Sequence, residues 1–413
     1  MGVTRNWSGT PATVAAEAGV SASPARQPGL PRSLFVGAAV ASIGGPLALV
    51  SLYVPGAAGR AVSSSGLTVA LAVAVFLAPL AIWLGYSERI VSAGGLAAFV
   101  EAAAGRTAAR LQALIWIVSY FLYLPYTVTY VVYDVLAVVF PGVAPYRASL
   151  ELVIPAAIVL FVLAPTVAVL AVLSAAAAVQ LVLVAVLGTL SLTKAGAAGS
   201  SFAPHAGAAA TGRGVGAVAL LFVCASLPLF FGAEVRGASG TIRSGLVVAY
   251  AAVVAFLLFA AVPLASVPRA LREADLPGVA IAQAYSGRGL AVSVGLASAA
   301  SVAALIVLEF LALGRLGHWL LGTAVRPTLA AIGVPFVVAD AVSLIDPDRF
   351  YVDLLRPSLI ALFLSQFIVF ALFPLFRLRT RPRLLPAAVA LTAVACALMG
   401  YGLYTAVTST IGS

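Results

Sequence analysis

Eleven apolar runs, most of them twenty residues or longer, follow one another along this chain at about 33–54, 66–86, 112–140, 151–164, 166–193, 215–235, 243–266, 289–314, 327–345, 353–376 and 384–408. A helix of about 20 apolar residues crosses the hydrocarbon of a bilayer. The runs are too long, and too free of polar alternation, for the short strands of a membrane barrel. Composition agrees. Hydrophobic residues make up 63% of the chain and charged residues 9%, against about 45–50% and about 25% in soluble domains. So few charges cannot cover a water-facing surface of this size, which makes lipid the solvent. The expectation is an all-α polytopic membrane protein with about eleven transmembrane helices.

The net charge of +10 is scattered singly between the apolar runs. It offers no basic stripe for phosphates, and no nucleic-acid partner is expected. Counted in alternate loops, Arg and Lys favour a cytoplasmic N-terminus, with the cluster Arg377, Arg379, Arg381 and Arg383 dominating the bias. Residues 1–32, rich in Ala, Gly, Ser and Pro, lack both a continuous apolar core and any periodicity, and read as a disordered cytoplasmic tail. Pro165 and Thr166 mark the turn between the fourth and fifth runs. Cys224 and Cys396 lie inside apolar runs and read as small core residues. No spacing of His, Cys or carboxylates suggests a metal centre or a nucleophile–base pair, so neither an enzyme nor a metal site is expected.

Two runs carry breaks five helices apart. The first holds Ser42-Ile43-Gly44-Gly45-Pro46, and the sixth holds Pro228-Leu229-Phe230-Phe231-Gly232. Glycine and proline loosen the helical ladder at membrane depth, where irregular backbone is tolerated only inside protein or beside a cavity. Paired breaks in two halves point to a secondary transporter's substrate site.

The second run ends in Gly85-Tyr86-Ser87-Glu88-Arg89-Ile90-Val91-Ser92-Ala93-Gly94-Gly95-Leu96. This segment, continued through Phe99-Val100-Glu101 and Gly105-Arg106 to Trp116, resembles the signature of amino acid–polyamine–organocation (APC) superfamily permeases. Val36-Gly37, the Gly-Gly of the first run and Phe-Phe-Gly-Ala-Glu at 230–234 resemble that family's first and sixth helices. The resemblance implies a five-plus-five inverted repeat with broken helices 1 and 6 over residues 33–380, leaving 381–413 as an additional C-terminal helix where the family usually has two.

For an amino-acid substrate, freed amides at Ser42, Ile43, Gly44 and Gly45 suit a carboxylate. Carbonyls and rings of Leu229, Phe230, Phe231 and Gly232 suit an ammonium. Tyr120, Tyr123, Tyr126, Tyr130 and Tyr133 are spaced by three or four residues and share one face of the third helix. That face is expected to look into the transport path, with Tyr123 and Tyr126 beside the substrate. Among intramembrane carboxylates, Asp134 is expected at an outer vestibule and Asp340 near an interface. Glu309, between Leu308 and Phe310, is a candidate proton carrier or a partner for Arg315. Sodium-coupled relatives place hydroxyls on helix eight, which makes Ser298 and Ser301 coupling candidates beside Ser293. Helix five has no basic residue before Lys194, so the lysine of some proton-coupled relatives has no counterpart; coupling to H+ or Na+, or simple exchange, stays open. The reading is a multi-pass permease for amino acids or related amines. The alternatives are a transporter-like sensor or a permease for a different small organic solute.

Overall fold

A computed structural model describes residues 29–197 and 199–408. Among them eleven helical crossings stand in the places of the eleven apolar runs: Arg32–Ala58, Ala61–Ser87, Arg106–Val139, Pro141–Val162, Thr166–Ala195, Ala208–Glu234, Ser239–Ala265, Arg288–Leu321, Val325–Ser343, Pro347–Thr380 and Pro382–Thr408, here spans 1 to 11. Of the expected tail only its end is described. Gly29 and Leu30 run alongside the end of span 6, where the Leu30 amide donates to the Glu234 carbonyl at 2.7 Å and the Arg236 amide to the Leu30 carbonyl at 3.2 Å. The fourth and fifth spans turn at Pro165, as its missing amide and extended ψ of 128° require. Span 8 is one helix of 34 residues, so it contains no second crossing.

Spans 1 and 6 are the hub. Over their most apolar windows 78% and 72% of residues are buried inside the protein, against 22% for spans 4, 9 and 11. Outward faces of the peripheral spans carry residues such as Leu160, Val182 and Val334, as lipid contact demands. Span 11 packs against spans 10, 2 and 6.

A repeat at an offset of five spans is written into the connections. The short helix Leu96–Ala104 joins spans 2 and 3, and the short helix Pro277–Ser286 joins the equivalent spans 7 and 8. The first ends at Gly105-Arg106 and the second at Gly287-Arg288, with glycine φ values of +89° and +87°. Only glycine reaches that region without strain, so the same residue turns the same corner twice. Five crossings separate the two corners, an odd number, and they lie on opposite faces.

Candidate functional site

Both hub helices break at mid-membrane. The first half of span 1 ends at Ser42, whose hydroxyl turns back to the Ala39 carbonyl at 2.8 Å. Gly44 and Gly45 then adopt φ of +63° and +62°, and Pro46 opens the second half. In span 6 the first half ends at Leu220, the chain turns through Leu221 and Phe222, and Val223–Glu234 continues as a 3₁₀ helix. Each break falls at the centre of a 27-residue crossing. The breaks face each other: a Cβ on Gly44 would lie 3.1 Å from the Leu221 carbonyl oxygen.

Beside them is a cavity of about 470 Å³, walled by Gly44, Leu49 and Tyr53 of span 1, Tyr120 and Tyr123 of span 3, Leu221 and Cys224 of span 6, and Leu305 of span 8. Leu362 and Phe363 of span 10 and Tyr401 of span 11 close its remaining side. Glu309 lies behind this wall, fully buried. Its Oε1 meets the Cys224 thiol at 3.9 Å, and the same sulfur lies 3.7 Å from the Tyr120 hydroxyl. Its Oε2 has no hydrogen-bond partner among the described residues.

The expected site residues therefore separate. Gly44 and Tyr123 line the cavity, and Tyr126 packs on Tyr123 with ring centroids 5.4 Å apart. Ser42 and Ile43 are buried in the same break. Gly45 is pressed against span 8, where a Cβ would lie 2.2 Å from the Ser301 hydroxyl. Leu229, Phe230, Phe231 and Gly232 sit instead in the 3₁₀ half, away from the cavity wall. Phe230 packs on Trp116 at 4.5 Å, Phe231 lies 4.1 Å under the Arg315 guanidinium, and Gly232 abuts the Ser92 backbone. Span 6 breaks seven residues ahead of Pro228, because a 3₁₀ helix begins at Val223 and already carries Pro228 inside it. Ser298 donates to Ser51, whose own hydroxyl is given to the Leu47 carbonyl, and Ser301 donates to Gln180 Oε1 at 2.8 Å. Ser301 also receives the Ala48 amide at the head of the second half of span 1. Ser293 bonds back to the Gly289 carbonyl.

Two barriers flank the cavity. Toward the face away from the N-terminus, Tyr53 stacks on Tyr130 at 6.2 Å. Tyr53 ends one π-helical turn, Leu49–Tyr53, and Tyr130 immediately precedes another, Val131–Val135. Beyond Tyr130 a vestibule of about 640 Å³ is lined by Tyr133, Asp134, Arg147, Asp275 and Asp348. Toward the N-terminal face the closure is heavier. Arg315, 1% exposed, donates to both carboxylate oxygens of Glu234 at 2.7 and 3.1 Å and to Thr166 at 3.3 Å. It pairs with Glu234 and leaves Glu309 alone. Outside it, Glu88 collects Arg377, Arg381 and Arg243.

Asp340, in the last turn of span 9, is wholly buried inside the protein, next to the equally buried Glu151 of span 4. Glu151, Tyr53 and the lining role of Cys224 escaped the sequence reading. A carboxylate inside span 4 was the available signal for the first, whereas nothing local marked the other two.

No known family profile matches the chain, and no curated protein matches it. Solved structures do. The crystal structure of a manganese transporter of Eremococcus coleocola, in a histidine-to-alanine variant, is similar with a TM-score of 0.55 at 12% identity, over 91% of this chain and 88% of that one. A glutamate-to-alanine variant of the same transporter gives a TM-score of 0.54 at 11% identity over the same shares. The fold is a polytopic transporter fold.

Proposed function

We propose that this protein is a secondary active transporter that moves amino acids or related amines across the membrane by alternating access. The observation that carries the reading is the meeting of two mid-membrane helix breaks, at Gly44–Gly45 and Leu221–Phe222, beside a cavity of about 470 Å³. The expected amide site for a carboxylate is narrowed, since the Ile43, Gly44 and Ala48 amides go to the Val40 and Ser42 carbonyls and to Ser301, while the buried Glu309 behind Cys224 calls for a proton or an ammonium. The aliphatic and aromatic walls favour a substrate with an apolar body. Similar structures bear the name of a manganese transporter. In this chain, among the described residues, no group of three His, Cys, Asp or Glu side chains gathers as a metal ligand set, which turns the proposal toward an organic solute.

The test is thermal shift of the purified protein against amino acids and amines, followed by uptake of the stabilising compound into proteoliposomes. Stabilisation by apolar or aromatic members is expected. Leu305→Trp, which fills the cavity from span 8, is expected to abolish both binding and uptake while leaving a monodisperse protein. Stabilisation by none of these compounds, or full uptake in that variant, overturns the proposal.

A further inference from the structure

Away from the central cavity, spans 3, 4 and 9 enclose a second polar cluster. Glu151, Asp340 and Ser343 are each 0% exposed, and Thr129 is 2% exposed. The Ser343 hydroxyl reaches Glu151 Oε1 at 3.1 Å and the Asp340 carbonyl at 2.6 Å, while the Thr129 hydroxyl, beside the Glu151 carboxyl, turns back to the Pro125 carbonyl at 3.2 Å. Three carboxylate oxygens, Glu151 Oε2 and both of Asp340, have no hydrogen-bond partner among the described residues. Arg147, one turn earlier on span 4, lies over the Tyr133 ring at 5.1 Å. Among the described residues, the ion pairs include neither Glu151 nor Asp340. Span 8 meets span 9 with Phe310 against Phe336 rather than an ionisable group. The remaining acids of this region, Asp134 and Asp348, face the vestibule.

Two ionised carboxylates cannot share a dry pocket without a positive partner. The pair is short of the third acid, histidine or thiol that a metal site would add. We infer that Glu151 and Asp340 form a proton-binding site, separate from Glu309, that holds a proton between spans 4 and 9. Thr129 of span 3 borders this site one residue ahead of Tyr130 in the barrier below the vestibule.

Infrared difference spectroscopy of the full chain in lipid nanodiscs tests this without any transport substrate. Glu309→Gln protein is expected to retain a protonated-carboxyl stretch at neutral pH. Adding Asp340→Asn or Glu151→Gln is expected to remove or shift that stretch. Absence of the stretch in Glu309→Gln protein, or its persistence unchanged through both added substitutions, overturns the proposal. So does its loss on adding sodium or magnesium alone, which would make the pair a metal-cation site. None of these readings depends on the transport proposal, so the two fail separately.

Discussion

Glu309 is fully buried, with one oxygen on the Cys224 sulfur and the other on nothing. A carboxylate so placed is an expense to the fold unless a positive charge arrives. Glutamine keeps the shape and removes the charge. Glu309→Gln is therefore expected to leave thermal stability unchanged or higher, and to flatten the pH dependence of uptake; a wild-type pH profile in that variant would assign coupling elsewhere. Gly45 makes the complementary case for backbone. Its φ of +62° costs any other residue about 1–2 kcal/mol, and a side chain there would strike Ser301. Gly45→Leu should insert and assemble yet show no uptake, measured beside surface expression in the same vesicles. Uptake at the wild-type rate would show that the break is not part of the site.

Helix breaks and barriers were legible to different degrees, for physical reasons. Gly44-Gly45-Pro46 announces its own break, because the residues that permit positive φ and cannot donate an amide stand at the spot. Leu221 and Phe222 announce nothing. Their turn is imposed by tertiary packing: Phe222 is wedged against Phe76 at 5.4 Å and Tyr250 at 5.9 Å, and the Leu221 carbonyl faces Gly44. Proline and glycine at 228–232 drew attention to the wrong half of span 6, since a 3₁₀ helix absorbs them. The tyrosine stripe of span 3 had the periodicity to show a shared face, but the π-turn after Tyr130 has no sequence mark. That turn and its counterpart in span 1 bring Tyr53 onto Tyr130, and π-turns recur where helices must deform for function. The native thiol of Cys224 reports on this barrier. In a Cys396→Ala background, Tyr130→Ala should speed Cys224 alkylation from the vestibule side by about 2- to 12-fold, the range that an aromatic pair of about 0.5–1.5 kcal/mol sets. An unaltered rate would place the barrier elsewhere.

At the scale of the whole molecule, the two faces are closed by different chemistry. One stacked tyrosine pair stands between the cavity and the vestibule, whereas the N-terminal face is locked by charges drawn from distant parts of the chain. Glu88, from the turn after span 2, joins Arg377 of span 10 at 3.0 Å, Arg381 just after it at 3.2 Å, and Arg243 of span 7 at 3.6 Å. Arg315 in span 8 joins Glu234 of span 6, which also holds the incoming Leu30. Desolvation pushes the Glu88 carboxyl up. The hydrogen bond and charge of Arg377, with Arg381 and Arg243, more than reverse this and hold it below the ordinary glutamate range. A carboxyl depressed in the folded state contributes stability that is complete above its unfolded value and is lost as pH falls through the folded one. The lock is thus intact at neutral pH and loosens on acidification below about pH 4.5. Glu88→Gln leaves three arginines around a neutral amide and is expected to lower stability at neutral pH by about 1–3 kcal/mol, with a smaller loss on acidification than wild type suffers. The check is a denaturation series across pH in the same detergent: parallel curves for the two proteins would show that Glu88 does not carry the acid sensitivity of this face. Because the lock ties spans 2, 7 and 10 while the cavity is walled by spans 1, 3, 6 and 8, its release would also free the N-terminal face to open. In the variant, alkylation of Cys224 from that face should rise as its rate from the vestibule falls.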